Sequence, residues 1–175
     1  NPIESEGTYD LPEAQVDRFL FKLVVDYPEI EDEIAVVDRV SVEMPRARRA
    51  VDIEALLDHQ RVAREVFADR AIIAYAVALV DATRHPGRHG LEDLEPLIKF
   101  GASPRASLGL IQAARALALL RGRNHVAHHD VRDLAPDVLR HRLVLSYDAL
   151  ADGVRPDELI DRLLAAVQPP VPLAA

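Results

Sequence analysis

The sequence has 175 residues, a formal charge of −8 and no cysteine, so it is long enough for a sizeable core and cannot form a disulfide or a thiolate metal site. Nucleic acid binding rests on clustered positive charge, and the excess of acidic residues therefore argues against a nucleic acid partner. Apolar residues make up 49% of the chain but aromatic residues only 5%, which is typical of closely packed helices. No run of about 18 apolar residues occurs, so we expect no membrane span and a cytoplasmic location.

The first 28 residues predict a loop and a strand. Residues 1–17 show no sustained hydrophobic period, which predicts a loop with one helical turn at residues 12–15. The next run, RFLFKLVV at residues 18–25, is nearly all apolar and predicts a strand buried on both faces. A lone strand leaves its ladder groups unpaired, so we expect its sheet to be supplied by residues outside this chain or by another molecule.

The following segment predicts three helices separated by a linker. EIEDEIAVVDRV has an acidic first turn and one apolar face, which predicts a short helix. The linker contains Pro45 and a basic cluster at residues 46–49 that we interpret as solvated. Asp52 is expected to cap a helix whose apolar positions are Ile53, Leu56, Leu57, Ala63 and Phe67. Asp69 is expected to cap the next helix, which ends at HPGRHG.

The strongest helix signal is GASPRASLGLIQAARALALLRG. Ser103 can cap this helix, Pro104 occupies a first helical position and Gly122 closes it. Its apolar residues surround much of the circumference, which predicts a central helix; they are Leu108, Leu110, Ile111, Ala114, Leu117 and Leu120. Short helices are predicted at residues 130–134 and 136–145, and a last one at residues 156–167.

Two stretches together resemble one protein family. NPIESEGTYDLPEAQVDRFLFK, followed by YP, resembles the second half of the nucleotide-binding module of MoxR-type AAA+ ATPases. GASPRASLGLIQAARALALLRGR, followed by DVRDLAPDVLRHRL, resembles the helical lid of that family. The resemblance covers residues 1 to about 167. It implies a mainly α fold: a helical-bundle AAA+ lid domain preceded by the last loop and strand of a truncated α/β core.

The resemblance also implies a division of the chain. Residues 1–28 correspond to the C-terminal remnant of the AAA+ α/β core, and residues 29–51 to a connecting helix and linker. Residues 52–167 correspond to the lid domain, and residues 168–175 to a flexible tail.

The resemblance assigns roles to three residues. Asn1 is similar to sensor 1, whose amide orients the attacking water and suits that task because it both donates and accepts without charge. Arg18 is similar to the arginine finger that reaches the nucleotide of the neighbouring subunit, and Arg105 to sensor 2, which couples the lid to the γ-phosphate. From spacing alone, simpler interpretations are preferred: Asn1 as a turn residue, Arg18 as a partner of Asp17, and Arg105 as a surface residue. Given the resemblance, the family roles are the preferred interpretation of all three residues.

A histidine cluster in NHVAHHD offers a second candidate site. His125, His128 and His129 could ligate a metal, but adjacent histidines on a helix point about 100° apart, so we interpret them as a solvated helix entry. The family commonly has a Thr-Pro-like cap where Ala127-His128 stands, which leaves the start of this helix open.

The sequence contains no phosphate loop of the form G-x-x-x-x-G-K followed by Ser or Thr. We therefore expect this chain to be the C-terminal part of an ATPase, unable to hydrolyse ATP by itself and without a tightly bound cofactor. For the full-length protein the resemblance implies ATP and Mg²⁺, a ring that is usually hexameric, and chaperone-like remodelling of client proteins, often alongside proteins with von Willebrand A domains. Two alternatives are a stand-alone helical interaction module and a DNA-binding regulator, and the acidity disfavours the second.

Overall fold

The structure is a computed structural model that describes residues 11–41, 44 and 46–170. These residues form two compact units, one of residues 11–22 and 63–170 and the other of residues 23–62. The helices are α1 (Glu13–Val16), α2 (Ile30–Val40), α3 (Ile53–Glu65), α4 (Arg70–Arg84), α5 (Pro104–Leu120), α6 (His128–Leu139), α7 (Tyr147–Ala151) and α8 (Pro156–Ala166). Turns of 3₁₀ helix span Pro86–His89 and Glu92–Leu97.

The larger unit is a helical bundle with one small sheet. Strands β1 (Ile98–Phe100) and β2 (Val144–Leu145) pair antiparallel, with Ile98 opposite Leu145. Helix α5 packs between α4 and α6, and α8 contacts both α4 and α6. The largest fully buried side chains come from these helices and the turn before β1; they include Leu79, Leu94, Leu110, Leu139, Ile160 and Leu163. Burying such side chains is the main force that stabilises the bundle. The mainly α fold is therefore as predicted.

The helix caps follow the sequence signals. The Asp52 carboxylate accepts a hydrogen bond from the Ala55 amide, and the Asp69 carboxylate accepts one from the Ala71 amide. Ser103 caps α5, Pro104 is its first residue, and Gly122 has a φ of 71° just beyond its end. The predictions for the starts of α3, α4 and α5 are confirmed.

The predicted strand at residues 18–25 is wrong. None of these residues is in a strand, and Leu23 and Val25 are 65% and 87% exposed. The carbonyl groups of Phe19, Leu20 and Lys22, which a ladder would use, instead accept hydrogen bonds from side chains of residues 140–142. The Lys22 amide donates to the Asp137 carbonyl. The backbone groups at residues 19–22 thus find their partners at the end of α6 rather than in a sheet.

Three smaller predictions also need correction. Residues 130–134 and 136–145 are not two helices, because α6 runs through Pro136 to Leu139 and is followed by β2. Phe67 lies beyond α3, where its backbone pairs with Asn124 and Val126. Helix α5 is central but not buried all round, since Leu108 and Leu120 are 64% and 85% exposed. One face of α5, rich in alanine, packs into the core.

In the smaller unit, α2 has no buried residue. Its apolar residues Ile30, Ile34 and Val37 line an open hollow of about 280 Å³ together with Glu33 and Asp38. No helix among the described residues combines the length and apolar composition that crossing a membrane requires.

Candidate functional site

Three polar side chains of the larger unit meet at the carboxylate of Asp17, which directly follows α1. Arg105 Nη1 donates to Asp17 Oδ2 over 2.6 Å, and Arg142 Nε donates to Asp17 Oδ1 over 3.0 Å. The Ser103 hydroxyl donates to the same carboxylate, 3.0 Å from Oδ2. We call the cluster of Asp17, Ser103, Arg105 and Arg142 the Asp17 junction. It surrounds one negative charge with two guanidinium groups and a hydroxyl.

Arg142 is the buried member of the junction, only 5% exposed. Besides the carboxylate, its guanidinium donates to four main-chain carbonyl groups, those of Asp17, Phe19, Leu20 and Val138. Burial lowers the pKa of Arg142, and the hydrogen bond to Asp17 opposes this effect. The planar guanidinium holds its donors in a fixed geometry. Arg142 therefore fixes the backbone on both sides of Arg18.

The side chain of Arg18 itself is exposed. Within the described part of the chain it forms no hydrogen bond or ion pair, although its neighbour Asp17 is bonded to three other side chains. The simple interpretation that Arg18 pairs with Asp17 is therefore wrong. An anchored backbone presents a free, permanently charged guanidinium to the surroundings.

The position of Arg105 is set by the start of α5. The Ser103 hydroxyl accepts a hydrogen bond from the Arg105 amide over 3.3 Å while it donates to Asp17. Just before it, a Cβ at Gly101 would lie 2.3 Å from the carbonyl oxygen of Thr83, so only glycine allows this approach to the end of α4. The Arg105 side chain is 51% exposed. It is placed by a cap and a close helix contact, yet its guanidinium remains accessible.

A pocket of about 140 Å³ adjoins the junction, lined by Asp17, Ser103 and Arg142 together with Glu13 and His141. His141 Nε2 donates to the Phe19 carbonyl over 3.0 Å. Burial lowers the pKa of His141, which keeps the ring neutral at physiological pH. Its role is thus to hold the residue 19 backbone rather than to supply charge.

Comparison with known proteins gives a consistent result. Residues 92–163 match the model of the AAA lid domain. The chain is 51% identical to the chaperone MoxR1 of Mycobacterium tuberculosis, over 97% of this chain and 45% of that protein. It is 35% identical to the protein MoxR of Paracoccus denitrificans, over 99% of this chain and 55% of that protein. The chain belongs to the MoxR-type AAA+ family. It spans about half the length of these relatives.

The MoxR-type assignment agrees with a structural comparison. A crystal structure from Cytophaga hutchinsonii, provisionally named an ATPase, superimposes with a TM-score of 0.93 at 36% identity. The superposition covers 98% of this chain and 52% of that one. The helical bundle described above is thus the lid architecture of the AAA+ proteins.

The three residues predicted from the MoxR-type resemblance have different positions. Asn1 lies outside the described residues. Arg18 and Arg105 both belong to the larger unit and lie next to the same carboxylate, Arg105 through an ion pair and Arg18 through the chain. Their roles as arginine finger and sensor 2 remain predictions.

Sequence reasoning missed Arg142 and the anchoring role of Asp17. Arg142 occurs in LRHRLVL, where apolar residues surround two arginines. A charged residue in an apolar run is rarely buried unless it is paired, so this pattern is a usable signal for a buried anchor. Its partner Asp17 is 125 residues away in sequence, and no local pattern indicates that pairing.

The histidine cluster does not form a set of ligands. Among the described residues, no group of three or more His, Asp or Glu side chains is placed to hold a metal ion. His128 and His129 lie edge to face with ring centroids 5.6 Å apart, and His125 contacts Asn124. The helix that follows begins at His128, and Asp130 accepts a hydrogen bond from the Ala127 amide at its start. This bond compensates for the missing Thr cap.

The donors at the Asp17 junction suit a phosphate group. Arg105 already binds one carboxylate oxygen and lies in the first turn of a 17-residue helix, whose N-terminus favours anions. A guanidinium binds carboxylate and phosphate oxygens with the same geometry. Arg105 and the start of α5 therefore offer donors of the kind that a phosphate group accepts.

Proposed function

We propose that this chain is the C-terminal part of a MoxR-type AAA+ ATPase, a chaperone-like remodelling or maturation factor. Arg105 acts as sensor 2 for the nucleotide of its own subunit, and Arg18 as the arginine finger for the nucleotide of the neighbour. The observation that carries the proposal is the difference between two arginines. Arg105 is bound by the Asp17 carboxylate, whereas Arg18, the residue after Asp17, has an anchored backbone and an exposed guanidinium.

The proposal gives each residue of this chain one task. Bound ATP with Mg²⁺ supplies the phosphoryl group whose transfer to water drives the conformational cycle. Arg18 donates to phosphate oxygens across the subunit interface, and Arg105 donates to them from the lid. Asn1 orients the attacking water as sensor 1. Because the sequence contains no phosphate loop, this chain by itself is proposed to be inactive.

The same proposal includes the oligomeric state, the location, the client proteins and the domain boundaries. The full-length protein forms a ring, most simply a hexamer, because the finger of one subunit completes the site of the next. It acts in the cytoplasm on client proteins, including ones with von Willebrand A domains, and not on nucleic acid. The division at residues 28, 51 and 167 into core remnant, linker, lid and tail is proposed on the same grounds.

One observation favours a second function. Ile30, Ile34 and Val37 on α2 are 77%, 55% and 57% exposed, as expected of a helix that packs against something else. The alternative is a stand-alone helical interaction module without ATPase activity. It predicts that the full-length gene product does not bind ATP, whereas the ATPase proposal predicts that it does.

Single substitutions in the full-length protein test the proposal. Arg18→Ala should bind ATP nearly normally and lower kcat by about 10³-fold or more, as loss of an arginine finger does. Arg105→Ala should abolish the change in protease sensitivity that ATP induces, because the lid no longer senses the nucleotide. Arg155→Ala removes an exposed arginine whose ion pair among the described residues is with the nearby Glu158, and serves as the control. Turnover at the wild-type rate in Arg18→Ala would exclude the finger assignment.

A further inference from the structure

The Asp17 junction contains one exchangeable contact among several fixed ones. We propose that the Asp17 carboxylate is a holding site for the Arg105 guanidinium, so that this carboxylate and the γ-phosphate of ATP compete for the same N–H donors of Arg105. Asp17 is in this account a positioning residue that contacts no nucleotide. The inference rests on the proposed role of Arg105 as sensor 2.

The two ion pairs of Asp17 differ in burial. The Arg142 side chain is 2% exposed and is also bonded to main-chain carbonyl groups, so its departure would break several hydrogen bonds at once and leave a buried position. The Arg105 side chain is 51% exposed, and its guanidinium has one hydrogen bond within the described residues, the one to Asp17. Exposed ion pairs contribute little free energy. Arg105 is therefore the partner that can leave.

Departure of Arg105 does not leave Asp17 without a partner. The carboxylate keeps the hydrogen bond from Arg142 Nε over 3.0 Å and the one from the Ser103 hydroxyl. A partly buried charge that loses all its partners is strongly destabilising, whereas one that keeps a guanidinium and a hydroxyl is not. The junction can thus release Arg105 at low cost and accept it again.

A phosphate is the competitor that fits this exchange. The planar guanidinium can donate to two oxygens of either a carboxylate or a phosphate, and the terminal phosphate of ATP carries the greater charge. ADP lacks that group. Only molecules in which Arg105 has left Asp17 can bind the γ-phosphate through Arg105, so the ion pair lowers the apparent affinity for ATP in proportion to the fraction of molecules that hold Arg105. The affinity for ADP is unchanged.

The test measures dissociation constants of the full-length protein for a non-hydrolysable ATP analogue and for ADP. Asp17→Asn removes the competing charge and should bind the ATP analogue about two- to five-fold tighter, as expected for an exposed ion pair. Its affinity for ADP should not change. In an Arg105→Ala background, Asp17→Asn should have no effect on either constant, because the group it releases is gone.

Two further variants make the test decisive. Asp157→Asn is the matched control, because Asp157 pairs with Arg140, which holds the Lys22 carbonyl, and it does not contact Arg105. It should leave both constants unchanged. Ser103→Gly removes one of the two donors that remain on Asp17 yet costs the helix cap little, so Arg105 is held more tightly. It should weaken binding of the ATP analogue about two-fold without affecting ADP.

The possible failures can be told apart. If the wild type does not bind the ATP analogue more tightly than Arg105→Ala does, the sensor 2 role itself is wrong. If Arg105→Ala weakens binding but Asp17→Asn has no effect, or has the same effect with and without Arg105, the holding site is excluded while sensor 2 stands. A loss of affinity in Asp17→Asn together with unchanged binding in Ser103→Gly also contradicts the proposal.

Discussion

Three arginines of this chain, Arg18, Arg105 and Arg142, differ in how deeply they are buried and in the contacts they make. Arg142 is buried and bonded to Asp17 and to four carbonyl groups, whereas Arg18 is exposed and Arg105 lies between these extremes. The sequence resemblance selected Arg18 and Arg105 because they stand in motifs. It did not select Arg142, since all but one of the partners of that residue are more than 100 positions away and periodicity carries no information about them.

Truncation of Arg142 tests its role as an anchor. Arg142→Ala leaves the Asp17 carboxylate with fewer donors and removes one donor from each of four main-chain carbonyl groups, so it should lower the free energy of unfolding by about 3 kcal/mol. Urea denaturation of this chain measures the change. Arg155→Ala, at an exposed ion pair, should leave the midpoint unchanged. An equally small change in both variants would show that the Arg142 contacts contribute nothing to stability.

Asp130 predicts a pH dependence of stability. Its side chain is fully buried; burial raises the pKa of Asp130, but hydrogen bonds from Arg123, Ala127 and Arg121 outweigh this effect and hold the pKa below its usual value. A lowered pKa in the folded state means that the contribution to stability is present above the unfolded value near 3.9 and is lost as the pH falls through the folded value.

Asp130→Asn should therefore be less stable than wild type at pH 7 by about 1 to 3 kcal/mol. The difference should shrink as the pH falls below about 4, because the wild-type carboxylate is then protonated too. Thermal unfolding between these pH values measures it, with Asp148→Asn at an exposed position as the control. A difference that is constant with pH would contradict the assigned charge interaction.

At the scale of elements, capping residues in the sequence correctly predicted where helices start. Sequence patterns failed for segments whose structure depends on contacts with residues far away in the chain. Asp69 and Ser103 cap their helices as predicted, because a cap depends on residues two or three positions away. The strand at residues 18–25 was predicted from composition, but a strand exists only with a neighbour, and the backbone groups at residues 19–22 bind the end of α6 instead. Pro136 was expected to separate two helices and is accommodated near the end of one.

Gly101 tests the contact between α4 and α5. A methyl group at Gly101→Ala would lie 2.3 Å from the Thr83 carbonyl oxygen, so the start of α5 must shift, at a cost of about 1 to 3 kcal/mol. Gly87→Ala is the matched control, because its methyl group would come too close to the end of the Glu95 side chain, which can move, and would lie at an ordinary contact distance from Glu92. Unfolding midpoints compare the two. Equal stability of both variants would contradict the close approach that places Arg105.

At the scale of the whole molecule, two compact units and a family assignment are established, and the motor function is proposed. The chain matches MoxR-type relatives over nearly all of its own length but about half of theirs. The lid architecture was predictable because the long motif around Ser103 resembles the helical lid of the family, and residues 92–163 match the model of that domain. The ring implied by the resemblance stays a prediction, since it depends on contacts between copies of the chain.

Mixing the Arg18→Ala and Arg105→Ala variants tests the central claim most directly. Full-length Arg18→Ala keeps its own lid residue but offers no finger, whereas Arg105→Ala offers a finger but lacks sensor 2. If Arg18 acts on the neighbouring subunit and Arg105 on its own, a randomly mixed ring should contain about one complete site in four and recover about a quarter of wild-type ATP turnover. Turnover of the mixture that only equals the mean of the two variants alone would contradict the account.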